Sequence, residues 1–67
     1  MIINKIAAFR KAKHMSQDQL ARKAGISVKS VSVAENNIEI INFKTLQKIA
    51  NSLGVKICDL FEELDKK

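Results

Sequence analysis

Side chains that can bind a polyanion are concentrated in the first half of this 67-residue sequence. Residues 1 to 34 include seven lysines and arginines and one acidic residue, Asp18, whereas residues 57 to 67 carry four acidic side chains and two lysines. The formal net charge of the chain is +5. Ammonium and guanidinium groups gathered on one face pair with phosphates, so this asymmetry favours a nucleic acid as the partner. A solvated lysine surface, which is common in small proteins, explains the charge equally well at this point.

Groups for catalysis and metal binding are few. His14 is the only histidine and Cys58 the only cysteine, which excludes an intrachain disulfide and a metal site with four histidine or cysteine ligands. We expect His14 to be a solvated loop residue and Cys58 to be a small, partly buried one. No glycine-rich phosphate loop, catalytic carboxylate pair or grouping of serine, histidine and aspartate is present. The expectation is therefore no enzyme, no metal, no cofactor and no small-molecule ligand.

The length and hydrophobicity of the chain are typical of one small globular domain. Hydrophobic residues make up 46% of the sequence. No apolar run approaches the length needed to cross a membrane, and the first residues lack the apolar centre of a signal peptide. We expect a single cytoplasmic domain, held together by apolar packing alone and making no contact with a membrane.

Two helices are predicted in the basic half. Apolar residues recur at helical spacing across Ile3–Lys13, which predicts a first helix there. Ser16 then has the type of an N-cap, with Gln19 at the capping-box position three residues later. The second helix is predicted as Gln17–Ala24, with Gly25 as the residue that ends it.

Two further helices are predicted near the end of the chain. Asn42 is an N-cap candidate before the sequence FKTLQKIANSL, and Gly54 follows it. The apolar stripe of this helix is Phe43, Leu46, Ile49, Ala50 and Leu53. A last helix, about Ile57–Leu64, is predicted to turn Leu60, Phe61 and Leu64 inward. With the middle segment, the pattern predicts an all-α, compact bundle of five short helices.

The middle segment SVSVAENNIEI, residues 30–40, is compatible with two structures. Alternating valines and serines followed by two asparagines are typical of a β-hairpin. The alternative is a short helix, Val28–Glu35, that ends at the asparagines. At about 100° per residue, its inner side carries Val31, Ala34 and Glu35, and its outer side Lys29, Ser32, Val33 and Asn36, with Val28 at the boundary. A small residue at Ala34, like Ala21 in the helix before, favours two helices that cross closely at a glycine-containing turn.

The run FRKAKHMSQDQLARKAGISVKSVSVAENN, residues 9–37, resembles the DNA-binding domain of phage repressors and Cro proteins, the XRE-type helix-turn-helix family. The matching features are Arg10, Ser16-Gln17, Leu20-Ala21, Gly25-Ile26-Ser27, Val31-Ser32 and Glu35. The later run TLQKIANSLGVKICDLF resembles the last two helices of the family. The resemblance covers nearly the whole chain, and the order and spacing of its parts make it specific. It implies a lambda-repressor-like fold in which helices two and three form the helix-turn-helix.

The resemblance also implies roles for individual residues. In the family the middle segment is the recognition helix, and a glutamate at the Glu35 position pairs with an arginine at the Arg10 position. That pair requires Glu35 to face inward at a helix end, which favours the helix over the hairpin. Phosphate contacts are implied for Gln17, Asn36, Asn37 and Lys44. The simpler role for Gln17 is a solvent-facing side chain, and the simpler role for Asn37 is to end the helix.

Four residues, Val28, Lys29, Ser32 and Val33, are expected to face bases in the major groove. Family members commonly have glutamine at the positions of the two valines, because an amide bonds an adenine edge in two places. Valine packs on a thymine methyl instead, so we expect sequence preference to depend on such contacts and on DNA shape. Alternatively, Val28 lies partly in the core and Val33 meets another protein.

Together these features predict sequence-specific binding of double-stranded DNA by a transcriptional regulator, of repressor type, that acts as a homodimer on two half-sites. The dimer contact is expected at the loop Ile38–Ile41 and the last helix, where Ile40, Ile41 and Phe61 leave apolar area. The alternative is a protein-interaction module on the same scaffold, such as an antirepressor or an antitoxin-like protein. Rising salt weakens binding through phosphates steeply, but it does not weaken an apolar protein contact in this way.

Overall fold

A two-stranded antiparallel sheet joins the two ends of the described chain. The computed structural model describes residues 2–63. Its regular elements are β1 (Ile2–Asn4), α1 (Ile6–Ala12), α2 (Gln17–Ala24), α3 (Val28–Asn36), α4 (Phe43–Leu53) and β2 (Phe61–Glu63). Two 3-10 turns, Ile38–Ile40 and Ile57–Leu60, precede α4 and β2. None of the helices within residues 2–63 has the length and apolarity to cross a membrane.

The prediction of five helices in an all-α fold is wrong at both ends of the described chain. The first helix begins at Ile6, because Ile2–Asn4 is extended and pairs with β2, Ile2 opposite Glu63 and Asn4 opposite Phe61. The predicted last helix is a 3-10 turn that ends at Leu60, followed by a strand. Runs of three residues, such as Ile2–Asn4 and Phe61–Glu63, are too short to reveal a strand from the sequence, and here the pairing of the two ends decides. The fold is mostly helical, with four α-helices and one small sheet among residues 2–63.

The second helix has the predicted bounds, Gln17–Ala24, and the predicted caps. Ser16 Oγ accepts a hydrogen bond from the Gln19 amide at 3.0 Å, and Gln19 Oε1 accepts one from the Ser16 amide at 2.8 Å. Gly25 follows in the left-handed conformation. Each end is therefore closed by residues adjacent in sequence, and such local capping is readable from the sequence.

The middle segment is helical, and the hairpin alternative is wrong. Ser27 Oγ accepts from the Ser30 amide at 3.1 Å, which caps the start of α3. Val31 and Ala34 are fully buried. The alternating valines lie on different sides of this helix, because helical spacing turns two residues two positions apart away from each other.

Six large side chains form the fully buried centre of the core: Ile6, Leu20, Val31, Ile49, Leu53 and Leu60. Burying one such side chain stabilises the fold by about 1.5–3 kcal/mol. The stripe predicted for α4 is correct except for Phe43, which begins the helix and is 70% exposed. Cys58 is exposed, which corrects the expectation of partial burial. Leu64, predicted to face inward, lies outside the described residues.

Candidate nucleic-acid interface

Helices α2 and α3 form a helix-turn-helix around a glycine turn. Gly25 has φ +72°, a conformation that an L side chain rarely adopts, and the Ile26 amide donates to Ala21 O at 3.0 Å to close α2. Buried alanines, Ala21 and Ala34, lie on the two helices. Small side chains and a tight turn let the helices cross closely, which fixes α3 against the rest of the domain.

The outer face of α3 consists of the side chains that point away from the side of the helix that buries Val31 and Ala34. Its members are Val28, Lys29, Ser32, Val33 and Asn36. Val28 is 46% exposed, so it is not a core residue. Lys29 and Asn36 are exposed, and the other two are half-buried. The outer face of α3 therefore offers one ammonium group, one hydroxyl, one amide and two branched apolar side chains.

A salt bridge between Arg10 and Glu35 ties the end of α3 to α1. Arg10 Nε lies 2.6 Å from Glu35 Oε2, and Nη2 donates to Oε1 at 3.3 Å. The two side chains are 12% and 8% exposed. Arg10 Nη1 also donates to Met15 O at 2.7 Å, just before α2 begins. The guanidinium thus connects α1, the entrance to α2 and the last turn of α3 in a forked geometry that favours arginine.

Gln17, at the start of α2, is held by the same carboxylate. Its Nε2 donates to Glu35 Oε1 at 2.9 Å. A primary amide has two N–H donors and one acceptor oxygen. One N–H is used within the protein, so the second N–H and the Oε1 atom are the groups that Gln17 can offer to another molecule.

Asn4 is a residue at this site that the sequence reasoning missed. Its Nδ2 donates to two carbonyl oxygens in the last turn of α3, Ala34 O at 2.6 Å and Glu35 O at 3.1 Å. Its Oδ1 accepts from the Ile6 amide at 2.9 Å, at the start of α1. An asparagine side chain often accepts from the backbone amide two residues later, so the contact with Ile6 has a local signal in the sequence. No local signal reveals the contacts with Ala34 O and Glu35 O, because these partners are 30 and 31 residues away.

The remaining residues expected to contact phosphate lie at the end of α3 and the start of α4. Asn37 Oδ1 accepts from the Glu39 amide at 3.2 Å and so caps the 3-10 turn that follows. Asn36 and Lys44 are exposed. Asn42 Oδ1 accepts from the Thr45 amide at 2.8 Å, which places Lys44 in the capped first turn of α4.

An apolar surface lies beside these residues, where α4 meets the sheet. Ile40 is 68% exposed and Phe43 70% exposed. Next to them is a groove of about 260 Å³, lined by Ile2, Ile38, Glu39, Ile41, Phe43, Leu46 and Phe61. Of the residues expected at a dimer contact, Ile40 is exposed, and Ile41 and Phe61 are half-buried walls of this groove.

Comparison with known proteins agrees with this geometry. A family model described as helix-turn-helix (HTH_3) matches residues 6–60. An uncharacterized HTH-type transcriptional regulator of Methanocaldococcus jannaschii, MJ0272, is 34% identical over 58 residues, which cover 87% of this chain and 88% of that protein.

Two solved structures of SinR are similar to the whole arrangement. SinR, named as the master regulator for biofilm formation and crystallised in complex with DNA, has a TM-score of 0.75 and 32% identity, over 84% of this chain and 90% of that one. The N-terminal DNA-binding domain of SinR from Bacillus subtilis has a TM-score of 0.76 and 33% identity, over 94% of this chain and 88% of that one.

Proposed function

The chain belongs to the XRE-type helix-turn-helix family, and from that premise we infer that it binds double-stranded DNA sequence-specifically as a transcriptional regulator. The observation that carries this function is the outer face of α3. That face is held on a rigid helix-turn-helix, in a chain similar over most of its length to a regulator solved with DNA. In this proposal the protein acts in the cytoplasm. We further propose repression as its mode of action, since occupying a site is by itself sufficient to exclude other proteins from it.

In this proposal α3 enters the major groove. Lys29 reaches guanine O6 and N7 or a nearby phosphate, and Ser32 accepts or donates at whichever base edge is near. Val28 and Val33 pack against thymine methyl groups. The exposure of Val28 supports this role, because a valine side chain turned outward gains by covering an apolar group of its partner. We therefore expect half-sites rich in thymine, read without bidentate amide contacts.

Phosphate contacts flank the helix and fix its position. Gln17 offers its second amide N–H at the start of α2, where the backbone amides of the helix N-terminus also attract an anion. Asn36 is the last residue of α3, Asn37 follows it, and Lys44 lies in the first turn of α4. These contacts add affinity without reading sequence.

The apolar surface at Ile40 and Phe43, with the groove beside it, is the surface on which a second copy packs in this proposal. A symmetric pair of domains presents two α3 helices to half-sites about one helical turn apart. Large exposed apolar residues beside a groove on a small domain support a protein contact there.

Val28, which is 46% exposed on the outer face of α3, supports a second candidate, a protein-interaction module on this scaffold. In that case the outer face of α3 binds a partner protein, as in an antirepressor or an antitoxin-like protein. Salt dependence separates the two functions, since neutralised phosphates release counterions and a protein contact of this type does not.

Selection of bound duplexes from a random pool, followed by affinity measurements from low to physiological salt, tests the proposal. We expect enrichment of a symmetric, thymine-containing site and a steep loss of affinity as salt rises. Absence of binding to any duplex at low salt, or binding that salt leaves unchanged, would reject DNA binding as the function.

A further inference from the structure

The last turn of α3 is fixed by a side chain from the other end of the domain. The last carbonyls of an α-helix have no partners within the helix. Val33 O accepts from the Asn37 amide at 2.7 Å, and Ala34 O and Glu35 O both accept from Asn4 Nδ2. Both N–H groups of the Asn4 amide are used by these two carbonyls. The end of the helix is thus capped by a residue about 30 positions earlier in the chain.

Asn4 is itself held on three sides. Its Oδ1 accepts from the Ile6 amide at the start of α1, and its backbone pairs with Phe61 in the sheet. The next residue, Lys5, donates its backbone amide to Leu60 O at 2.7 Å. Asn4 is therefore held in place, and it links the sheet, α1 and the end of α3.

We propose that Asn4 is a positioning residue for sequence reading: it sets the orientation of the last turn of α3 and, through it, of Val33, the residue of that turn expected to face a base. This inference rests on the proposed DNA binding. The Glu35 side chain holds the same turn through Arg10 and Gln17, whereas Asn4 holds its backbone. Without the two hydrogen bonds from Asn4, the helix stays folded but its last turn can shift relative to the start of α2. Base contacts then weaken more than the phosphate contacts that α2 and α4 make.

The substitution Asn4→Asp separates this role from the start of α1. A carboxylate still accepts from the Ile6 amide, but at neutral pH it cannot donate to Ala34 O or Glu35 O. Asn51→Asp is the matched control, because it adds the same charge at an exposed position near the end of α4. Carbonyl and amide resonances report the two contacts separately: Asn4→Asp should move the Ala34 carbonyl resonance and leave the Ile6 amide hydrogen-bonded.

The decisive measurement is the ratio of two affinities, one for a duplex selected by the wild-type protein and one for a scrambled duplex of the same composition. Displacement of Val33 from its base contact should lower this ratio about fourfold in Asn4→Asp, on the scale of one buried CH₂ group. Asn51→Asp should leave it unchanged. A residue that only maintains folding, or a charge that only repels phosphate, lowers both affinities by the same factor and leaves the ratio constant.

An unchanged ratio in Asn4→Asp, with the protein folded, would overturn the proposal. If Asn4→Asp does not fold, Asn4→Ala supplies the same ratio without the added charge. Failure of both variants to fold would also reject the positioning role, since Asn4 would then be needed for folding itself. If the wild-type protein binds neither duplex, the proposed function fails instead, and this result is distinct from the others.

Discussion

Gln17 Nε2 and Glu35 Oε1 lie 2.9 Å apart, at the point where the first turn of α2 meets the last turn of α3. The same carboxylate accepts from two nitrogens of Arg10. Glu35 is therefore shared between a group that stabilises the fold and a group expected to contact phosphate. One carboxylate links the stability of the helix-turn-helix to the surface that is expected to face DNA.

Removing this carboxylate should be costly, because it leaves a largely buried guanidinium without its partner. Glu35→Ala is expected to lower the free energy of unfolding by about 3–5 kcal/mol, measured by urea denaturation at fixed protein concentration. Asp18→Ala is the control, since Asp18 pairs with Arg22 at 2.9 Å but both side chains are more than half exposed. An exposed pair of this kind contributes under about 1 kcal/mol. Equal losses in the two variants would contradict a structural role for the Arg10–Glu35 pair.

Contact between Val28 and a thymine methyl group can be tested from both sides of the interface. Replacing one thymine of the selected duplex by deoxyuridine removes only the methyl group. In the wild-type protein this should weaken binding about fourfold where Val28 covers that methyl, on the scale of one buried CH₂ group. In Val28→Ala the same DNA change should have little effect. Independent, additive losses from the two changes would mean that Val28 does not contact that base.

The ammonium group of Lys44 should contribute to the salt dependence of binding. Lys44→Ala is expected to weaken binding to selected and scrambled duplexes alike, and to reduce the slope of log affinity against log salt by about 1. Lys56→Ala removes the same charge from an exposed position beyond the other end of α4 and serves as the control. If the two variants give the same slope, Lys44 does not contact phosphate.

Self-association should depend on the exposed apolar residues beside the groove. Ile40→Ser is expected to shift a dimer toward monomer in equilibrium sedimentation, while folding is retained because the side chain is largely exposed. Ile3→Ser is the matched control, since Ile3 is also partly exposed but alternates with groove-lining Ile2 along β1. A wild-type protein that stays monomeric at high concentration, with and without DNA, would exclude the homodimer.

Structural features that depend on contacts between residues close in sequence could be predicted. Those that depend on contacts between residues distant in sequence could not. The bounds of α2 and α4 follow from Ser16, Gly25, Asn42 and Gly54, whose contacts lie within a few residues. The sheet could not be predicted, because its pairing joins the two ends of the described chain. Its strands are three residues long, too short to show a period.

The same distinction holds for the residues of the candidate site. Helical spacing was enough to sort the outer face of α3 from its buried side, and the resemblance supplied the pairing of Arg10 with Glu35. Asn4 was missed because its amide acts on carbonyls that are distant in sequence. Helical spacing predicts Phe43 in the core, but it stands at the first position of α4, at the edge of the core, and is 70% exposed.

The two glycines that end α2 and α4 have a consequence for chemical synthesis of this short chain. Gly25 and Gly54 have φ of +72° and +71°, and the Cβ of an L residue at either position would meet no atom within 4 Å. An L residue is therefore disfavoured at these two positions by the left-handed backbone conformation and not by lack of space. D-alanine, the mirror-image amino acid, prefers this region of backbone conformation, and both glycines are exposed, so a synthetic chain carrying it at both turns should melt at a higher temperature. Restricting the unfolded chain in this way contributes roughly 0.4–1 kcal/mol at each position.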